Sequence, residues 1–228
     1  CLVGLFSFSG YSQSFSKATC IEDLQFLQKS IQTYNPGLYR FNPDFDKKSD
    51  SLISTVDSDL NLFQYFTKVS QLCALSNEGH FGVGNWQDTV HKGFLSNTYK
   101  YFPFEIKMLD KRVLVWNNYS NDTSVKRGDE IVSINGERTM DVVTHLYSCI
   151  SSDGHIENNL REKLMSGFAW MYYLYVDQAE TFKIEIASLR NYENRTIKTI
   201  DALTRKEMGE NYKANKPEGK KDENENEI

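Results

Sequence analysis

Apolar residues recur every three or four positions in the first third of the chain, and this spacing predicts α-helices. The first repeat stops at residues 35–37, Asn-Pro-Gly, which end a helix. A more polar helix is predicted over residues 43–56, and a third begins after residues 57–59, which offer several N-cap side chains. The apolar faces comprise Ile21, Leu24, Leu27, Ile31 and Tyr34 in the first helix and Leu62, Phe66, Val69 and Cys73 in the third. These helices predict a small bundle.

From residue 102 onwards, apolar and polar residues alternate, as they do in half-buried β-strands. Two such runs cover residues 102–108 and 113–116. A third begins at Gly128-Asp-Glu and closes at Asn135-Gly136, a dipeptide that favours a tight turn because both residues tolerate positive φ. A short helix is predicted over residues 140–150. The order is therefore three strands, a turn and a helix.

The last part of the sequence changes character twice. A long helix is predicted over residues 156–175, and its aromatic end is interpreted as core or as a docking face rather than as a binding surface. Strands over residues 182–186 and 195–200 would close the sheet. Residues 204–228 are almost wholly polar, so we predict that they are disordered.

Composition removes several classes of function. The chain has 228 residues and a formal net charge of −5, and no basic stripe runs along it, so nucleic acid is not expected as a partner. No apolar run approaches the roughly 20 residues that span a bilayer, so no membrane span is predicted. With 14 Phe and 13 Tyr, the chain has ample material for a core.

The first residues form an apolar block followed by small and polar residues. Residues 1–13 resemble the back half of a secretory signal peptide, with cleavage near Gln13. Lipidation of Cys1 and an ordinary buried strand are the alternatives. The protein is therefore expected outside the cytoplasm, either in the periplasm or secreted. Association with the cell envelope is also compatible with this expectation.

The cysteines and histidines predict no cofactor and no metal centre. Apart from Cys1, the sequence has Cys20, Cys73 and Cys149, an odd number without a Cys-x-x-Cys pair, and His91 and His145 lack ligands at usable spacing. A disulfide between Cys20 and Cys73 remains open for an oxidising compartment.

The strand order around Gly128-Asp-Glu-Ile-Val-Ser-Ile-Asn-Gly136 resembles a PDZ domain. Another small β-rich domain is the alternative. The resemblance implies that an extended peptide adds as a strand to an open sheet edge beside a helix. The expected peptide-binding residues are Phe102, Phe104, Ile106, Val143 and Tyr147. Pro103 removes an amide donor where PDZ domains bind a terminal carboxylate, so strict recognition of free C-termini is not expected.

Between the helical region and the PDZ-like region stands Glu78-Gly79-His80-Phe81. In tail-specific (C-terminal processing) and tricorn-core-like serine peptidases, a helical region ends in an Asp-Gly-His-Thr type of motif and a PDZ domain follows. This chain resembles that arrangement over residues 21–199, with Glu in place of Asp and Phe in place of Thr. The resemblance implies hydrolysis of peptide bonds by a serine nucleophile.

His80 is the candidate general base on this resemblance, although many relatives use lysine instead. The alternative is a histidine that simply follows the C-terminus of a helix, where an imidazolium favours the helix dipole. No strand–turn–helix serine region is recognisable in the sequence. Ser148, Ser151 and Ser152, next to Asp153, are interpreted as a helix end and a loop rather than as parts of a triad.

The sequence thus predicts an α+β protein: a signal-peptide remnant (1–13), a small helical bundle (14–98), a PDZ-like β-domain with an inserted long helix (99–203) and a disordered polar tail (204–228). Its expected function is that of the non-catalytic, substrate-handling portion of an exported tail-specific serine peptidase. The expected partners are unfolded or extended polypeptides and a protease domain beyond this chain. The alternative is a stand-alone PDZ-type peptide-binding adaptor without catalysis.

Overall fold

The computed structural model describes residues 14–83, 99–154, 156–189 and 191–215, and it combines helices with antiparallel sheets, as predicted. The predicted signal-peptide remnant, the end of the predicted helical region at 84–98 and residues 216–228 lie outside the described residues. The chain divides into two compact units. Among the described residues, the first unit comprises 14–83 and 149–154, and the second comprises the rest.

The first unit is a helical bundle with a small two-stranded sheet. Its helices are α1 (Lys17–Tyr34), α2 (Leu38–Phe41), α3 (Phe45–Ser54) and α4 (Leu62–Ala74), and its antiparallel strands are β1 (Ser14–Phe15) and β2 (Leu60–Asn61). The three predicted helices are confirmed, and the single turn of α2 was not predicted. The apolar repeat of α1 is buried at Leu24 and Ile31, which pack with Leu38, Phe45 and Leu72 in one core.

The starts of the helices are fixed by side-chain caps. Ser16 accepts a hydrogen bond from the Thr19 amide at the start of α1. At the start of α4, Asn61 and Gln64 form a reciprocal capping box, which satisfies two amides that have no partner within the helix. The predicted caps at residues 57–59 are therefore wrong. Asp59 instead accepts a hydrogen bond from the Lys17 amide at 2.9 Å.

Within its described residues, the second unit is an antiparallel sheet with three helices. Its strands are β3 (Phe104–Leu109), β4 (Arg112–Asn118), β5 (Glu130–Ile134), β6 (Glu137–Arg138), β7 (Thr181–Ser188) and β8 (Asn191–Asp201). Their order is β3-β4-β5-β7-β8, and β6 pairs with β5. Its helices are α5 (Thr139–Tyr147), α6 (Glu157–Tyr175) and α7 (Arg205–Asn215). All five predicted strands and both predicted helices of this region are present.

The Gly-Asp-Glu and Asn-Gly signals both have a structural basis. Asn135 (φ 52°) and Gly136 (φ 88°) form the turn between β5 and β6 in the left-handed region. Asp129 is buried and accepts hydrogen bonds from the amides of Lys126 and Leu189. Its carboxylate thereby joins the loop before β5 to the end of β7.

A cluster of aromatic rings fills the core of the second unit. Phe102 is fully buried, and its ring centroid lies 5.0 Å from that of Phe182, 5.2 Å from that of Phe104 and 5.6 Å from that of Phe168. Tyr172 stacks on it at 5.9 Å. The aromatic end of α6 is therefore core, which was one of the two interpretations favoured from the sequence.

The prediction of a disordered tail from residue 204 is wrong for Arg205–Asn215, which form α7. The Thr204 amide donates to the Glu207 carboxylate at 2.8 Å, and the Glu207 amide donates to the Thr204 hydroxyl at 3.3 Å. This is a capping box, which the polar composition concealed. Further along, Asn211 donates to the carbonyl of Tyr119 at 2.9 Å and so anchors the helix.

Two further findings concern membranes and thiols. Across the described ranges, no helix has the length and apolarity needed to cross a bilayer. Cys20, Cys73 and Cys149 are buried and form no disulfide. Burial raises the pKa of the Cys73 thiol to about 11, so this side chain behaves as a small apolar residue.

We expect Phe102→Ala to lower the free energy of unfolding by about 3–5 kcal/mol, because it empties the centre of the aromatic cluster. The matched control is Phe26→Ala, which removes a ring that is 75% exposed on α1 and should change stability by less than about 0.5 kcal/mol. Urea denaturation followed by circular dichroism measures both. Equal losses in the two variants would contradict the assignment of Phe102 to the core.

Candidate functional site

The loop after α4 carries His80 and is held by a segment from much later in the chain. The Gly79 amide donates to the Asp153 carboxylate at 2.7 Å, across 74 positions of sequence. The Gly154 amide donates to the carbonyl of Asn77 at 2.9 Å. The Ser151 hydroxyl donates to the carbonyl of Phe81. Residues 77–81 are therefore clamped by residues 151–154, within the first unit.

The Asp153 carboxylate packs directly against Gly79. A Cβ atom placed there would lie 2.8 Å from Oδ1 of Asp153 and 2.9 Å from its Cγ, closer than such atoms approach in proteins. The carboxylate can reach the amide only because position 79 has no side chain. The close approach of Asp153 thus explains why position 79 of the Glu-Gly-His motif is a glycine.

The imidazole of His80 faces a carboxylate and is open to solvent. Its Nδ1 lies 3.4 Å from Oε1 of Glu78, and its side chain is 93% exposed. A carboxylate at Nδ1 favours the tautomer that carries its proton there, which leaves Nε2 with a lone pair. An imidazole oriented in this way can accept a proton from a nucleophile brought within hydrogen-bonding distance of Nε2.

The roles of two residues near His80 were not predicted from the sequence. Glu78 was interpreted only as a replacement for the Asp of the family motif, and Asp153 only as part of a loop. The interpretation of residues 148–153 as a helix end and a loop agrees with the structure, because α5 ends at Tyr147 and Ser151 bonds a backbone carbonyl. The contact between Asp153 and Gly79 spans 74 positions of sequence. Local patterns in a single sequence carry no information about a contact at that separation.

The predicted peptide-binding residues divide into two groups. Phe102, Phe104, Ile106 and Val143 are all buried, with at most 1% of their surface exposed. Tyr147 is half-buried, its hydroxyl donates to Sδ of Met108 at 3.4 Å, and burial raises the pKa of this hydroxyl. Helix α5 packs on β4, β5 and β6, and Tyr147 is the residue through which it reaches Met108 of β3. The four buried side chains contribute to the core, and their contact with a peptide stays a prediction.

Strand β3 is the terminal strand of the described sheet, and one of its amides, that of Met108, is occupied by a side chain. Helix α6 packs against both β3 and α5. The Met108 amide points at Sδ of Met165 on that helix, 3.2 Å away. Just before β3, Tyr101 pairs with Leu203 through two backbone hydrogen bonds of 2.8 and 3.1 Å. A peptide that added to β3 would have to displace Met165.

Comparisons with known proteins give a fold neighbour and no sequence match. Neither a scan against protein-family models nor a search of curated proteins finds a match. A solved structure of mature CPAF complexed with lactacystin has a TM-score of 0.56 and 15% identity, over 82% of this chain and 35% of that chain. Another structure of mature CPAF has a TM-score of 0.56 and 14% identity, over 82% and 34%.

The photosystem II D1 C-terminal processing protease also matches, over 79% of this chain and 44% of that chain, with 11% identity. Its TM-score of 0.34 is too low to carry an argument. At 14–15% identity, the likeness to CPAF shows the fold alone. This chain spans about a third of the length of the CPAF chains that it matches.

We expect Gly79→Ala and Asp153→Ala each to lower the free energy of unfolding by about 1 kcal/mol, because each removes the same hydrogen bond. The double variant should lose no more than either single variant, which corresponds to a coupling of about 1 kcal/mol. Urea unfolding measures all three. Gly82→Ala is the matched control, because a Cβ there would meet only the Ser151 hydroxyl, at 3.8 Å. Additive losses would contradict the clamp.

Proposed function

We propose that this chain is the substrate-handling front portion of an exported serine peptidase of the tail-specific or CPAF type, with the nucleophile on a domain outside this sequence. The observation that carries the proposal is the fold likeness to mature CPAF over 82% of the chain. The Glu-Gly-His motif lies in a clamped loop of that same fold. Location outside the cytoplasm belongs to the proposal and is supported by the sequence of residues 1–13 alone.

In this proposal His80 is the general base. Three features support that role: its imidazole is exposed, a carboxylate faces Nδ1, and the clamp fixes the backbone that carries it. Exposure allows a serine of a following domain to approach Nε2, while Glu78 favours the tautomer that accepts a proton there. Glu78 then acts as a positioning residue, in the way that a triad carboxylate orients its histidine.

The second unit handles substrate polypeptide in this proposal. The end position of β3 in the sheet supports addition of an extended segment at that edge, as the PDZ resemblance of the sequence implies. Met165 occupies the Met108 amide of β3, so substrate binding involves movement of the Met165 side chain. A thioether on three rotatable bonds repacks more readily than a branched or aromatic side chain.

The direct test uses the polypeptide encoded by the complete reading frame, with hydrolysis of an unfolded protein as the assay. We expect His80→Ala to lower kcat by about 10²–10⁴-fold, which is the usual contribution of a general base. Glu78→Gln should lower kcat less, because it leaves the imidazole in place. The matched surface control is Glu22→Gln on α1, which should leave the rate unchanged. An unchanged rate in His80→Ala would show that His80 is not the general base.

Binding is tested separately with this chain and fluorescently labelled extended peptides. We expect Met165→Ala to raise peptide affinity several-fold, because it frees the Met108 amide of β3, whereas Met171→Ala on the same helix should not. Fluorescence anisotropy measures the affinity, and circular dichroism checks that both variants remain folded. Peptide affinity that is equal in the two variants would exclude binding at the β3 edge. Binding without any peptidase domain in the frame would favour the stand-alone adaptor.

A further inference from the structure

Three side chains of metal-ligating type converge at the His80 loop. The ligand atoms of Glu78, His80 and Asp153 all lie within 4.8 Å of one another. Two of them come from the loop after α4 and the third from residues 151–154, all within the first unit. The sequence predicted no metal site, because the third ligand is remote along the chain from the other two.

The spacing of two of these atoms, which form a long hydrogen bond, also fits two ligands of one ion. Nδ1 of His80 and Oε1 of Glu78 are 3.4 Å apart, beyond the usual 2.7–3.2 Å of a hydrogen bond from nitrogen to oxygen. A tetrahedral ion with ligands at about 2.1 Å separates any two of them by about 3.4 Å. The pair therefore already has the separation of two ligands on one ion.

The third ligand is held by the backbone. Asp153 accepts the Gly79 amide at 2.7 Å through Oδ1, and a carboxylate has further lone pairs for a cation. Ligating carboxylates in proteins commonly receive such supporting hydrogen bonds, which fix their orientation. The 4.8 Å limit on the group is wider than a tetrahedral edge, but the His80 side chain is 93% exposed and can close that difference by rotation.

The geometry points to a binding site for a zinc-type divalent cation, formed by Nδ1 of His80 and one carboxylate oxygen each from Glu78 and Asp153. Water completes the coordination. One imidazole with two carboxylates is a ligand set that Zn²⁺ accepts, and two carboxylates neutralise its charge. Mg²⁺ and Ca²⁺ prefer sites made of oxygen alone, so they should bind here more weakly. This site goes beyond the proposed function. A cation on Nδ1 displaces the proton that the general-base role of His80 requires there, so the cation-bound and the catalytic states of His80 exclude each other.

Isothermal titration of this chain with zinc chloride tests the site. We expect one strong site per chain, and at least about 10-fold weaker binding in His80→Ala and in Asp153→Asn, since even a supporting partner of a metal ligand contributes that much. Asp153→Asn keeps an acceptor for the Gly79 amide, so it separates the ligand from its structural role. The matched control is Glu22→Gln, which should bind zinc as the unmodified chain does.

Cobalt(II) gives a second readout at the same site. Its visible absorption should strengthen on binding to the unmodified chain, as in low-symmetry sites with nitrogen ligands, and this change should be lost in His80→Ala. Magnesium chloride at the same concentration should not displace cobalt. No zinc binding at 100-fold excess over the chain, or equal binding in the unmodified chain and in His80→Ala, would overturn the inference.

Discussion

The hydrogen bond from the Gly79 amide to the Asp153 carboxylate is the contact on which the candidate site depends. It joins a loop of the first helical region to a segment that the described chain reaches only after four strands and a helix of the second unit. Asn77 and Phe81 receive their own bonds from Gly154 and Ser151 on either side of it. The position of the His80 backbone is therefore set by residues that lie far from it in sequence.

This dependence explains what the sequence could and could not predict. Helices α1, α3 and α4 and strands β3, β4, β5, β7 and β8 follow from local periodicity, and the Asn135-Gly136 turn follows from its need for positive φ. The role of Asp153 depends on a contact across 74 positions, which no local pattern contains. Helix α7 was missed for a different reason: its capping box and its contact with Tyr119 outweigh a polar composition that favours disorder.

The predicted peptide-binding face shows the same limit. Alternation placed Phe102, Phe104 and Ile106 on one side of the chain, and a single sequence cannot say whether that side meets a peptide or another helix. In the structure, α6 lies against it, and Phe168 and Tyr172 of that helix pack on Phe102. Phe102 and Phe104, which the PDZ resemblance predicts to contact a bound peptide, are thus part of the core. Of the five predicted peptide-binding residues, Tyr147 alone keeps a half-exposed side chain.

The fold likeness to CPAF and the clamped Glu-Gly-His loop support a common proposal, in which one unit presents a base and the other handles polypeptide. The most direct measurement is a crystal structure of the polypeptide from the complete reading frame, trapped with a serine-directed covalent inhibitor. We expect the serine Oγ within about 3.5 Å of Nε2 of His80, with Glu78 still facing Nδ1. A nucleophile whose base is another residue, with His80 turned to solvent, would contradict the proposal.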